Sequence, residues 1–350
     1  MRGERLAWPD LLKGTGIFLV TLGHSALVDK TVIAWIYTFH MPLFFFLSGY
    51  FFNRQEGTVW NTIRHKAFPV LAPMAAYSLC RWVWGGVSAL TEGGAVDFRP
   101  LLGILLQWGG TDFDGYVWFF AGLFSAECIF ALLLQRMEGR PLRLLGVCSA
   151  LALAVWLGSR AGLPRLPWHV DGGCLLLPYL CLGWVVRRYE EKIDQVLASR
   201  KREALVILGL IGVQLVSALV NLRLGPTRID YNLRLLNEYV TAYLAGASGI
   251  GWVWLLGRKL PAPRCLTFVG EYSAVYYCVG WIGSNIAHRL VWMTVPVRGL
   301  PLLGVHLLGM WVLPLPLVLG VMRLCPELIG KKRRASLKPV QHETRRSTSV

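Results

Sequence analysis

Charge is scarce in this chain, and acidic charge scarcer still: 16% of its 350 residues are charged, and 20 Asp and Glu stand against 36 Lys and Arg. So few charges do not cover a soluble protein of which 55% is hydrophobic. The apolar residues run in long blocks parted by short polar breaks, the pattern of a polytopic helical membrane protein. No polar block is long enough for a soluble domain. A glycine-rich phosphate loop, a zinc signature and a serine-nucleophile elbow are all missing. The eight cysteines, Cys80, Cys128, Cys148, Cys174, Cys181, Cys265, Cys278 and Cys325, include no pair at metal-ligand or redox spacing. They read as small hydrophobes in or beside the spans, with no disulfide framework and no metal.

What is present is about ten apolar spans. They are expected near Leu11–Val28, Ile33–Phe52, Phe68–Leu90, Val117–Leu134, Leu142–Gly158, Gly172–Val186, Ala204–Asn221, Leu236–Leu256, Leu266–Ile286 and Leu300–Arg323. The apolar piece Leu101–Trp108 is too short to cross and belongs at the interface or in a dip back. The fold class is therefore all-α, with one integral domain over residues 1–330 and a basic, disordered tail over 331–350. Lys and Arg divide unequally about these spans, 25 on the side of the N-terminus and tail against 9 on the other. Such an excess in short loops puts both termini in the cytosol. The net charge of +16 is mostly this topology signal. The run Lys331-Lys332-Arg333-Arg334 reads as a juxtamembrane patch on anionic membrane lipid. A nucleic-acid partner would need basic residues interleaved with aromatics on a soluble module, which the chain lacks. Asp10 and Lys13 interrupt the first apolar stretch, and no small-residue cleavage site follows Val28, so the first span is not a removable signal.

That first span carries the most chemistry. In Trp8-Pro9-Asp10-Leu11-Leu12-Lys13-Gly14 and, ten residues on, Gly23-His24-Ser25, an acid, a base and an imidazole share one helix. On an α-helix Asp10, Lys13, Thr21 and His24 fall within an arc of about 80°. Hydrocarbon penalises Asp or Lys at mid-depth by ~2.5 kcal/mol or more, so such groups point to function. The second span places His40 just before Pro42, which frees a backbone carbonyl near Thr38. His40 by itself reads equally as a structural hydrogen bond to a neighbouring helix. Arg81 and Glu127 lie in spans and fit either mutual pairing or substrate contact. Trp118, after a loop holding Asp97, Asp112 and Asp114, suits a sugar platform or an interfacial aromatic belt. Asp171, with His169 beside it, is a candidate ligand for a sugar hydroxyl.

The run Asp10-Leu11-Leu12-Lys13-Gly14, Gly23-His24-Ser25 and then Phe39-His40-Met41-Pro42-Leu43-Phe44-Phe45-Phe46-Leu47-Ser48-Gly49-Tyr50 resembles the start of the membrane acyltransferase family 3, in particular its fucose 4-O-acetylase-like branch. Val117-Trp118-Phe119-Phe120, Leu166-Pro167-Trp168-His169-Val170-Asp171, Leu182-Gly183-Trp184 and Val269-Gly270-Glu271-Tyr272-Ser273 follow in the same order. The resemblance implies transfer of an acyl group, usually acetyl from cytosolic acetyl-CoA as co-substrate, to a hydroxyl of a sugar, polysaccharide or glycolipid at the outer face of the plasma membrane. It implies that Lys13 and His24 are the functional pair, with lysine replacing the more usual arginine and its planar fork. Arg64 and Lys66 stand where the family has paired basic residues and are carried over, with Lys13, as contacts to the acyl-CoA phosphates. The family commonly has a histidine seven residues after Ser273; this chain has Gly280.

The residues support the chemistry apart from the name. Acyl transfer to an alcohol needs a base for the hydroxyl proton, and a neutral imidazole suits that task. His24 is assigned as that base or as a transient acyl carrier, with Asp10 and His40 as further catalytic candidates. Asp10 lies about 21 Å from His24 along the helix, so a direct partner of His24 must come from Glu127, Glu271 or His40. Trp118, Glu127 and Asp171 are the candidate acceptor contacts. The sequence His24-Ser-Ala-Leu-Val-Asp29 fits the H-x4-D pattern of glycerolipid acyltransferases, but the aspartate falls about 140° around the helix, and the match is read as chance. The alternative function is a transporter or flippase for a glycan or lipid-linked sugar, against which stands the lack of an evident internal repeat or matched broken helices. Oligomeric state leaves no signal.

Overall fold

The computed structural model describes residues 6–25, 28–111, 117–225, 227–280, 286 and 300–326. Among these the chain is helical, with no strand and one isolated antiparallel bridge, Asp230 to Leu235. In chain order the helices are α1 (Trp8–Gly23), α2 (Lys30–Tyr50), α3 (Val59–Thr91), α4 (Arg99–Leu106), α5 (Trp118–Met137), α6 (Pro141–Arg160), a 3-10 turn (Pro167–His169), α7 (Val170–Arg188), α8 (Glu190–Val196), α9 (Arg200–Arg223), α10 (Tyr239–Gly257) and α11 (Arg264–Glu271). They are followed by α12, described over 273–280, α13 (Leu300–Val312) and α14 (Leu315–Leu324). Six are long and apolar enough to cross a membrane: α2, α5, α6, α7 with its 3-10 turn, α9 and α10.

The remaining expected spans take other forms. The first is helical over the 16 residues of α1, with proline in its opening turn and Asp10 at its positive end, both favourable there. The third lies within the 33-residue α3, which carries Pro69 and Pro73. The ninth is interrupted at Tyr272, between α11 and α12. The tenth divides where Pro314 and Pro316 start a new helix, since proline removes the amide that would continue the old one. The short piece at 101–108 forms the eight-residue α4. The expected tail, 331–350, lies outside the described residues.

Helix α2 is the hub, packed against α1, α7 and α10, with Ile36, Phe39, Leu43, Phe45 and Phe46 inaccessible. Glycine makes two of the approaches possible. A Cβ on Gly49 would lie 1.8 Å from the carbonyl oxygen of Leu180, and one on Gly183 2.0 Å from that of Phe46, which locks α2 onto α7. Likewise a Cβ on Gly270 would lie 1.7 Å from the oxygen of Asp10, and one on Gly14 2.1 Å from that of Leu266, so α1 and α11 touch backbone to backbone. Such close contact is how helices gain packing where lipid is as apolar as leucine. Helices α6 and α9 are only 17% buried over their apolar windows and flank the bundle, as hydrocarbon-facing helices do.

Candidate active site

The charged groups of α1 and its neighbours gather at two ends. At the end where α1 begins, Lys13 Nζ lies 3.2 Å from Asp10 Oδ1, one turn back on the same helix. Lys66, from α3, pairs with Glu127 of α5 at 3.0 Å. The same carboxylate oxygen accepts a hydrogen bond of 2.6 Å from the Ser48 hydroxyl of α2. The Lys66 ammonium also sits 4.7 Å over the Phe52 ring. Glu127 is 3% exposed, and its second oxygen, Oε2, has no hydrogen-bond partner among the described residues. A carboxylate so deep needs a fixed cation and donor beside it. Lys13, Ser48 and Lys66 then line one cavity of about 380 Å³, walled otherwise by apolar groups such as Phe119 and closed by Ser273 and Tyr277. Its chemistry is that of two ammonium groups at the rim of an apolar slot.

At the other end of α1, His24 is the residue that ends the helix, exposed, with Nδ1 2.8 Å from the Val20 carbonyl. His40 is buried on α2 and makes the equivalent contact, Nδ1 to the Ile36 carbonyl at 2.9 Å. A carbonyl only accepts, so in each ring Nδ1 carries the hydrogen and Nε2 keeps its lone pair. Tyr37 lies between them, its ring centroid 6.2 Å from that of His24 and 4.7 Å from that of His40. The guanidinium of Arg228, from the segment between α9 and α10, covers the Tyr37 ring at 4.1 Å. Tyr277 lines the cavity, its ring packed against Phe119 and Phe120 of α5.

A sequence model of the acyltransferase domain family matches residues 6–322. The chain belongs to acyltransferase family 3. No curated protein and no solved structure matches it. The matched stretch runs from just before α1 to α14 and so takes in both ends of the site, and membership decides for an acyltransferase over a transporter.

Within this membrane acyltransferase the expected residues divide into groups. Lys13 and Lys66 come together at the cavity; Arg64 is exposed, because two residues on a helix turn a side chain through about 200°. Of the three residues considered as partners of His24, His40 shares a neighbour with it, the Tyr37 ring. Glu127 is held at the Lys66 end, and Glu271 adjoins Gly270, which packs on Asp10. Asp10 itself is buried beside Lys13. Asp171 is 2% exposed and engages two guanidiniums, Arg165 at 3.3 Å and Arg234 at 3.5 Å, the arrangement of a structural clamp. Trp118 is half-buried against Gly172 and near His169, its ring 6.3 Å from the imidazole. Asp29 caps α2 by accepting the Thr31 amide at 2.8 Å, a local role that accounts for it. Sequence reasoning did not single out Tyr37, Ser48, Arg228, Asp230 or Tyr277. Ser48 and Tyr37 stood inside the most distinctive run; nothing in the sequence signals that the 224–238 segment returns to α2. Among the described residues no group of three His, Cys, Asp or Glu side chains is placed to hold a metal.

Proposed function

We propose that this acyltransferase moves an acyl group, acetyl in the simplest case, from cytosolic acyl-CoA to a hydroxyl of a sugar, polysaccharide or glycolipid at the outer face of the plasma membrane. The observation that carries the reading is the division of one helix. Lys13 faces a cavity shared with Lys66, while His24, eleven residues and about 16 Å further along α1, lies beside Tyr37, which in turn packs on His40. With the N-terminus in the cytosol, Lys13 and Lys66 hold the phosphates of the donor, and the apolar walls take the arm that carries the thioester. Phosphates compete well for these ammonium groups, since a phosphate accepts several charge-assisted hydrogen bonds.

His24 receives the acceptor's proton at Nε2, the atom left basic by the Nδ1 contact to Val20. The acceptor oxygen attacks the thioester carbonyl, the carbon–sulfur bond breaks, and the departing thiolate takes up the proton from the imidazolium. If His24 instead accepts the acyl group first, the same Nε2 is the nucleophile. Both spans and charge bias favour this topology: the donor is used where it is made, and the product forms where glycans are displayed.

The test is transfer of radiolabelled acetyl from acetyl-CoA to glycosides by the protein in proteoliposomes, with His24→Ala as control. Label that appears on sugar with the wild type and disappears with His24→Ala while acetyl-CoA still binds supports the reading. Label retained in His24→Ala overturns the assignment of the base, and label on sugar that does not depend on acetyl-CoA overturns the donor.

A further inference from the structure

The segment between α9 and α10 is built to hold one guanidinium in place. Asn221, at the end of α9, donates to the carbonyls of Leu236 and Glu238 at 2.8 and 2.9 Å and to the Thr241 hydroxyl at 2.9 Å. Asn237, in a left-handed conformation at φ 56°, donates to the carbonyls of Asn221 and Thr227. Asp230 and Leu235 exchange two backbone hydrogen bonds of 2.7 and 2.9 Å. Arg234, also left-handed, turns inward to Asp171. Ile229 and Tyr231 are buried, the latter with its hydroxyl 2.8 Å from that of Tyr179. Arg228, next to the buried Ile229, turns instead to α2, where its guanidinium covers the Tyr37 ring, with Asp230 beside it.

A stacked arginine at 4.1 Å from a tyrosine ring gains from the ring's electron density. Its nearest carboxylate is less well matched: Arg228 Nη2 stands 3.9 Å from Asp230 Oδ2, beyond the ~2.7–3.2 Å of a hydrogen bond. Asp230 Oδ1 is occupied by the Leu233 amide at 3.1 Å, which leaves Oδ2 as the oxygen turned to the guanidinium. The gap calls for a group that accepts from Arg228 and donates to Asp230. A hydroxyl does both; a carboxylate or phosphate offers no proton to Asp230 and meets its charge.

We infer that Arg228 and Asp230 form the acceptor-recognition pair of this enzyme and select a neutral, polyhydroxylated sugar over an acidic one. The inference rests on the acyl-acceptor reading above. The pair holds one hydroxyl of the sugar between them and so orients the ring for a second hydroxyl to reach His24 Nε2. Arg228 and Asp230 are positioning residues, since neither exchanges a proton with the reacting atoms.

Binding and turnover test it separately. Saturation-transfer NMR on the detergent-solubilised protein, without any donor, measures affinity for neutral methyl hexopyranosides and for the matching methyl hexuronides; acetyl-CoA-dependent labelling measures transfer to the same compounds. The wild type is expected to favour the neutral sugars by about tenfold, and Asp230→Asn, which keeps the Oδ1 contact to Leu233, to bring that ratio near one. Arg228→Lys is expected to weaken neutral-sugar binding by about tenfold and to raise the acceptor KM with little change in kcat. An unchanged neutral-to-acid ratio in Asp230→Asn, or wild-type binding in Arg228→Lys, overturns the inference. Selective binding that both variants lose, without transfer in the wild type, supports the sugar site and overturns the transferase reading. Transfer in the wild type with an acceptor KM untouched by both variants does the reverse.

Discussion

The two ends of α1 solve the same problem in different ways. At the Lys13 end, ionic groups are buried by pairing: Asp10 with Lys13, Glu127 with Lys66 and Ser48. Helices supply these partners, and glycines bring the backbones to contact. At the His24 end the ionisable groups are imidazoles satisfied by their own helices' carbonyls, and the charge comes from Arg228, on an anchored loop. The first arrangement fixes charge and leaves a slot for an anion to enter. The second spends only Nδ1 of each ring on these contacts. The proposed transfer, with a polyanionic donor bound at one place and a proton taken at another, needs both.

The contrast breaks most completely at the glycine contact. Gly270→Leu would drive its Cβ into the Asp10 carbonyl, at 1.7 Å, where only backbone can yield. Loss of a monodisperse folded peak in detergent chromatography is expected, whereas Gly212→Leu on α9, with nothing within 4 Å of its Cβ, should leave the peak unchanged. Next in size is His24→Ala, expected to lower transfer by about 10²–10⁴-fold while donor affinity, measured by equilibrium binding of labelled acetyl-CoA, stays within a factor of about two; this separates the chemical end from the donor end. Lys66→Ala acts at the other. It strands the Glu127 carboxylate, at a cost of about 1–3 kcal/mol, and raises the acetyl-CoA KM by about tenfold. Adding Glu127→Gln to it should restore the melting temperature but not the KM, which parts the structural role of the ion pair from donor binding.

Much of this was legible from the sequence because helices make it so. The eleven-residue step from Lys13 to His24 fixes their separation along one axis, and Gly49 and Gly183 sit where α2 and α7 touch backbone to backbone. Lys66 is singled out by the family resemblance as an anion contact, and it lines the cavity that Lys13 also lines. What escaped is tertiary. Glu127 looked like a ligand at the acceptor side, yet its depth is set by where α5 meets α3. Asp171 looked like a sugar contact, yet Arg165 and Arg234 reach it from segments whose paths no periodicity predicts. Arg228 registered only as one more positive charge. Its position depends on Asn221 and Asn237, two amides whose partners lie up to 20 residues away. The apolar pattern leads to ten expected spans, of which six are helices long and apolar enough to cross; in α1 and α3 prolines and polar residues dilute the signal.

The smallest expected effect lies outside both ends and serves as their control. On α8, Asp194 accepts two hydrogen bonds from the Arg258 guanidinium, at 2.9 and 2.8 Å, and these hold its carboxyl below the usual carboxylate range. A carboxyl with a depressed folded pKa binds protons less readily than in the unfolded chain, so the pair stabilises the protein above the unfolded value of about 3.9 and loses that contribution as pH falls through the folded one. The side chain of Asp194 is 50% exposed, so solvent screening limits the pair to about 0.2–1 kcal/mol. Asp194→Asn should therefore melt slightly below the wild type at pH 7, with the difference shrinking as the pH drops below 4 and with high salt, and with transfer activity unchanged. An equal drop in melting temperature at every pH would mean that packing, not charge, is what Asp194 contributes. A change in acceptor or donor KM would mean that α8 and the Arg258 turn are coupled to the Lys13 end, through the α10 helix that both α1 and α2 contact.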